Sequence, residues 1–119
     1  MVVFHTTIHP VWDRMRPASK ENKAELASRV DKLTPTGGTN IHDALEEAFR
    51  DPELDTIYLL TDGAPGVGAI TNVEELADEV QRWNRTRQVR QLHGISIGEN
   101  SRLLQRLAKE SGGTYVFHR

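Results

Sequence analysis

Ile57-Tyr58-Leu59-Leu60-Thr61-Asp62-Gly63 decides how this 119-residue chain is read. Four consecutive apolar residues have the pattern of a strand covered on both faces, and Thr-Asp-Gly is where such a strand ends and turns. Upstream, Thr36-Gly37-Gly38-Thr39-Asn40 opens a segment in which Ile41, Leu45, Ala48 and Phe49 recur at helical spacing. Asn40, with Asp43 three residues on, has the form of a capping box, and Pro52 stops the helix. One loop therefore opens a helix and the other leaves a strand. Between them they offer the Thr39 hydroxyl and the Asp62 carboxylate, hard oxygens of the kind Mg²⁺ or Mn²⁺ prefers.

Downstream, Asn72-Val73-Glu74-Glu75 caps a helix striped by Val73, Leu76, Ala77, Val80 and Trp83. Residues 89–98 read as a strand, and 101–110 as a leucine-rich helix ended by Gly112-Gly113, suited to a left-handed terminus. Residues 114–117 read as the last strand. At the start of the chain, residues 1–7 and 8–12 are short and β-rich, with a turn at Thr6-Thr7 and with Pro10 suited to an edge. Ser19 or Asn22 can cap a helix bearing Leu26, Val30 and Leu33 on one face. Strands separated by helices imply parallel pairing with right-handed crossovers, and ligands in such sheets lie beyond the carboxyl ends of the strands. Asp62 stands at one of those ends.

The formal charge of −2, with basic residues interleaved among acids as in Lys20-Glu21-Asn22-Lys23, speaks against a nucleic-acid partner. The absence of cysteine excludes disulfides, zinc thiolate sites and thiol nucleophiles. No apolar stretch is long enough to cross a bilayer. The length accommodates one domain, residues 1–119.

Other motifs carry competing chemistry. Gly94-Ile95-Ser96-Ile97-Gly98 matches the Gly-x-Ser-x-Gly of serine hydrolases, and Glu110 and His118 follow in the order acid, histidine. Ile95 and Ile97 flank Ser96 as in a strand, however, so the sharp turn that a nucleophile needs is not expected. Gly94 and Ser96 would instead let a helix pack closely. Gly63-Ala64-Pro65-Gly66-Val67-Gly68 lacks the lysine of a phosphate loop and reads as a flexible loop beside the site. His5 and His9 lie on a strand or hairpin rather than one helix face, so zinc spacing does not carry over. His42, in the first turn after Thr39, reads as a surface residue or one supporting the site, and His93 and His118 read as strand residues. The aromatic residues are too dispersed to stack bases, with Trp12 expected at an exposed edge.

Taken together the segments resemble a von Willebrand factor type A domain. The likeness rests on Thr36-Gly37-Gly38-Thr39-Asn40-Ile41, Ile57 to Gly63, His93-Gly94-Ile95-Ser96-Ile97-Gly98 and Ser111-Gly112-Gly113-Thr114-Tyr115, in family order and spacing over nearly the whole chain. It implies an α/β fold: a Rossmann-like three-layer sandwich with a mostly parallel central sheet and an antiparallel edge strand. It also implies a metal-ion-dependent adhesion site, with Thr39 and Asp62 as metal ligands and Gly38, Asn40, Gly63 and Gly66 at the rim. The family's Asp-x-Ser-x-Ser loop has no counterpart here. Residues 1–4 resemble the family's second strand, so the expectation is a partial, incomplete domain without the first strand and first helix.

The resemblance implies a non-enzymatic protein-interaction module that binds an acidic side chain of a partner protein through Mg²⁺ or Mn²⁺. Affinity for the ion is expected to be weak or absent in this chain alone. A metal-independent scaffold domain is the alternative. The family's sheet order separates residues 1–4 from 57–60 by one central strand, a loss on the order of 10 kcal/mol. Self-association through that central position is a further expectation.

Overall fold

The chain runs from an antiparallel hairpin, β1 (Val2–Phe4) and β2 (Ile8–Pro10), through helices α1 (Lys20–Asp31) and α2 (Ile41–Phe49) into β3 (Thr56–Thr61). Then come α3 (Val73–Thr86), β4 (Gln91–Ile97), α4 (Arg102–Ser111) and β5 (Tyr115–His118). This computed structural model describes residues 1–12, 14–33, 38–86 and 91–119. Thr36, Gly37 and Val89 lie outside the described residues.

Short polar side chains start the four helices of the described residues. Ser19 Oγ accepts the Asn22 N–H (3.1 Å), Asn40 Oδ1 that of Asp43 (3.1 Å), Asn72 Oδ1 that of Glu75 (3.0 Å) and Ser101 Oγ that of Leu104 (3.1 Å). Each satisfies one of the amides that the first helical turn leaves without a partner. α4 ends on Gly112 at φ +76°, and the Gly113 N–H returns to the Ala108 carbonyl at 2.8 Å.

β3, β4 and β5 form a parallel sheet in that order, while among the described residues β1 and β2 pair only with each other. The described strands thus form two separate sheets. Ile57 lies opposite Leu92, Leu59 opposite Gly94 and Thr61 opposite Ser96, so these six share one face. That face packs on Ile41, Leu45 and Phe49 of α2, Leu76, Val80 and Trp83 of α3, and Leu103, Leu104 and Leu107 of α4, all buried. The α/β class and the parallel pairing are as expected.

The other face departs from expectation. Residues 57–60 were read as covered on both sides, yet Tyr58 is 72% exposed and Leu60 54%. Side chains alternate along a strand, and among the described residues helices pack on one face of the three-stranded sheet only. Ile97 and Val116 continue the open face. α1 forms as expected, but its stripe meets no core. No residue of α1 is buried, Val30 is exposed, and Leu33 falls beyond the helix end. Trp12 is half-buried rather than exposed, with the Arg16 guanidinium 4.6 Å above its ring. Among the described residues no helix is long and apolar enough to cross a membrane.

Candidate functional site

Thr61 is buried at the end of β3, and its hydroxyl closes a small turn with Gly63, bonding that residue's N–H (3.3 Å) and carbonyl (3.2 Å). The side chain that would compete for these backbone groups is thereby occupied, and Asp62 is left exposed at the strand end. Beyond Gly63 the surface dips into a cavity of about 190 Å³ between Pro65, Ser96, Asn100 and the first residues of α4.

Thr39 precedes the cap of α2. Its carbonyl accepts the N–H groups of Gly66 (2.9 Å) and Val67 (3.2 Å). The loop that follows Asp62 is therefore stitched to the loop that carries Thr39, and the expectation of a free, flexible 66–68 segment gives way to a latched one. Gly38, Thr39 and Asn40 come together with Gly66, and Asp62 and Gly63 begin the same latched loop.

Asn40 joins three segments. Its side chain caps α2, its Nδ2 donates to Asp43 Oδ2 (2.8 Å) and to the Thr6 carbonyl (3.1 Å), and its N–H donates to the His5 carbonyl (2.8 Å). In a capping box the third helical residue would accept the cap residue's own N–H. Here the side-chain amide takes that carboxylate and the N–H goes to the hairpin. Asp43 also bonds His42 Nδ1 at 2.8 Å. The hydrogen bonds from His42 and Asn40 hold the Asp43 carboxyl below the usual carboxylate range. His42 itself is buried, with Trp83 5.6 Å from its ring, which corrects the surface reading. The first turn of α2 turns inward, and Asp43 supplies the polar partner that lets the imidazole stay there.

Among the described residues neither the Thr39 hydroxyl nor the Asp62 carboxylate is engaged in a hydrogen bond or ion pair. A neutral and an anionic hard oxygen suit Mg²⁺ or Mn²⁺ in kind, though they fall short of an octahedral shell. Among the described residues no group of three or more His, Asp or Glu side chains could hold a metal.

The residues of the hydrolase motif are not assembled. Ser96 is buried within β4, as the flanking isoleucines indicated, and its hydroxyl donates to the Glu99 carbonyl. His118 pairs with Ile97 and so shares the opposite, open face, while Glu110 holds Arg106 at 2.7 Å. Of the other histidines, His93 stacks on Tyr58 at 4.9 Å and bonds Thr114, while the His5 and His9 rings lie 4.8 Å apart on the hairpin.

Thr6 is the site-neighbouring residue that the sequence did not single out. Its hydroxyl accepts the Gly38 N–H at 2.8 Å across 32 residues of chain. A threonine in a turn carries no signal of so distant a contact.

The von Willebrand factor type A domain family matches residues 1–117. Human von Willebrand factor A domain-containing protein 3A is 37% identical over 95 residues, 76% of this chain and 8% of that protein. Human von Willebrand factor A domain-containing protein 3B is 29% identical over 110 residues, 89% of this chain and 8% of that protein. Human inter-alpha-trypsin inhibitor heavy chain H4 is 30% identical over 125 residues, 95% of this chain and 13% of that protein. The chain thus corresponds to 8% to 13% of the length of these relatives. With its parallel sheet, its loop order and a match over nearly every residue, the chain belongs to the von Willebrand factor type A domain family.

Proposed function

We propose that this chain is a protein-binding module that engages an acidic side chain of its partner through a Mg²⁺ or Mn²⁺ ion at the carboxyl end of β3. Domains of this family generally mediate protein interactions and are generally non-enzymatic. The observation that supports the reading is the double hydrogen bond from Gly66 and Val67 to the Thr39 carbonyl, which ties the two ligand-bearing loops together. Thr39 would offer the ion its hydroxyl, directly or through water, and Asp62 would neutralise part of its charge. Gly38, Asn40, Gly63 and Gly66 would form the rim. When bound, the ion supplies a concentrated positive charge that a carboxylate can meet in a shallow site. Two protein oxygens leave most of the shell to water and to other ligands, so affinity for the ion alone is weak.

Paramagnetic broadening by substoichiometric Mn²⁺ tests this reading. The amide signals of Thr39, Asp62 and Gly63 lose intensity before the rest, Mg²⁺ competes, and Asp62→Ala abolishes the selectivity with helix content intact. Uniform broadening, or unchanged selectivity in the Asp62→Ala protein, contradicts it. A metal-independent scaffold role draws support from the open apolar face of Tyr58, Leu60, Ile97 and Val116. Partner binding that survives excess chelator but is lost on Leu60→Lys would favour that role.

A further inference from the structure

We propose that Thr6, in the turn between β1 and β2, is the positioning residue of the loop that carries Thr39; the proposal rests on the cation-site reading above. Thr39 is flanked by Gly38 and Asn40, and both are fastened to this one threonine. The Gly38 N–H donates to Thr6 Oγ1 at 2.8 Å, and Asn40 Nδ2 donates to the Thr6 carbonyl at 3.1 Å. The Asn40 N–H adds a third tie to the neighbouring His5 carbonyl at 2.8 Å. A residue whose two neighbours are pinned to the same rigid turn has little freedom to rotate its peptide planes, so the direction of the Thr39 side chain is set from outside its own loop.

The anchor is itself held. β1 and β2 pair in register from Val2 opposite Pro10 to Phe4 opposite Ile8, and the His5 N–H bonds the Thr7 carbonyl at 3.0 Å across the turn. On the other side, the Thr39 carbonyl carries the position onward to the Gly66 and Val67 amides and so to the loop that starts at Asp62. Among the described residues the hairpin is not hydrogen-bonded to the three-stranded sheet, yet through Thr6 it aligns the loop at that sheet's edge. A turn residue that merely closed the hairpin would have no reason to spend both its hydroxyl and its carbonyl on residues 38 and 40. The Thr6 hydroxyl acts here as an acceptor, a role that serine can fill and valine cannot.

The test compares the full chain with Thr6→Val, Thr6→Ser and Thr7→Val. Thr7 is the control, since among the described residues its hydroxyl meets only His9 Nε2, at 3.0 Å. Two measurements need no metal: hydrogen exchange at the Gly38 amide, and the Thr39 χ1 rotamer from three-bond couplings. The expected result in Thr6→Val is Gly38 exchange faster by about tenfold, the loss of one net hydrogen bond, with the Thr39 rotamer averaged. Thr6→Ser and Thr7→Val keep both at wild-type values. A third measurement, Mn²⁺ affinity by water-proton relaxation, is expected to weaken about tenfold in Thr6→Val alone.

A Thr6→Val protein with the wild-type Thr39 rotamer overturns the proposal, as does an averaged rotamer with unchanged Mn²⁺ affinity. If the wild-type chain binds no Mn²⁺ while the rotamer still depends on Thr6, the positioning role stands and the cation reading is what fails. Should valine disturb the fold, Thr6→Ala removes the same acceptor without an added methyl and is read in the same way.

Discussion

Gly94 lies so close beneath Leu104 that a Cβ built on the glycine would stand 2.8 Å from the Cβ of the leucine. The obstacle is the root of the leucine side chain, which cannot swing aside as its tip could. α4 rests directly on β4 at this point, and the closeness of that contact sets how near Ser101 and Arg102 come to the loop after β3. Gly94→Ala should therefore push the helix off the strand and destabilise the domain by about 1–3 kcal/mol, the usual cost of overpacking. Urea denaturation with an unchanged slope and a lower midpoint is the expected result; a neutral substitution would mean that α4 rides more loosely than described.

At the site the corresponding position is Gly68. Its φ of +114° lies in the region that side chains avoid, and a Cβ there would fall 2.2 Å from Asn40 Oδ1. Gly68→Ala should cost about 1–3 kcal/mol in local strain, expressed as a displaced loop rather than global unfolding. Amide exchange should rise at Gly66 and Val67, which bond the Thr39 carbonyl, while Leu104 and Leu107 in α4 stay protected. Loss of protection throughout the chain would show that the loop is part of the core.

Asp43 supplies a pH dependence with a definite sign. Its carboxyl is held below the ordinary value of 3.8 by hydrogen bonds from His42 and Asn40. A carboxylate whose folded value is depressed contributes stability that is present above its unfolded value and lost as pH falls through the lower folded one. The side chain is 42% exposed, so solvent screening keeps the contribution small. Carbon-detected NMR should find the Asp43 midpoint below 3.8 and moved upward in Asn40→Ala. Asp43→Asn should flatten the acid limb of the stability profile, lowering stability slightly near neutrality, where the carboxylate contributes, and changing it least at the acid end.

The open sheet face predicts association. Tyr58, Leu60, Ile97 and Val116 are exposed side by side, and β3 is an edge strand of the three-stranded sheet. Apolar edge strands without charges or proline pair readily with other chains. Light scattering across a concentration series should show reversible self-association, and Tyr58→Lys with Leu60→Lys should restore the monomer with unchanged circular dichroism. A concentration-independent mass in the unmodified chain would remove this expectation.

Most of the local structure was legible because its causes are local. Ser19, Asn40 and Asn72 cap helices through bonds that reach three residues, and Gly112 ends α4 by its own conformation. The stripe of α3 was legible for a related reason. Val73, Leu76, Ala77, Val80 and Trp83 recur at the period of the helix, and the structure buries the last four and half-buries Val73. Where burial depends on what lies across the gap, the pattern misled. Residues 57–60 and the stripe of α1 are apolar enough for a covered face, but apolarity does not state whether a cover is present. His42 was open between the surface and a supporting place beside the site, and Trp83 and Asp43 decide it by enclosing the ring.

The succession of strands and helices and the caps that start α2 and α3 followed from the chain alone, because hydrophobic periodicity, capping side chains and turn residues act over a few neighbours. Tertiary structure alone decided that the loop after Asp62 is fastened to the Thr39 carbonyl, that Thr6 holds both neighbours of Thr39, and that one face of the sheet stays open. These contacts join residues some 27 to 34 positions apart, and each has a backbone amide or carbonyl on at least one side. Nothing in the identity of a side chain announces them, and only the folded path of the backbone brings them within hydrogen-bonding distance.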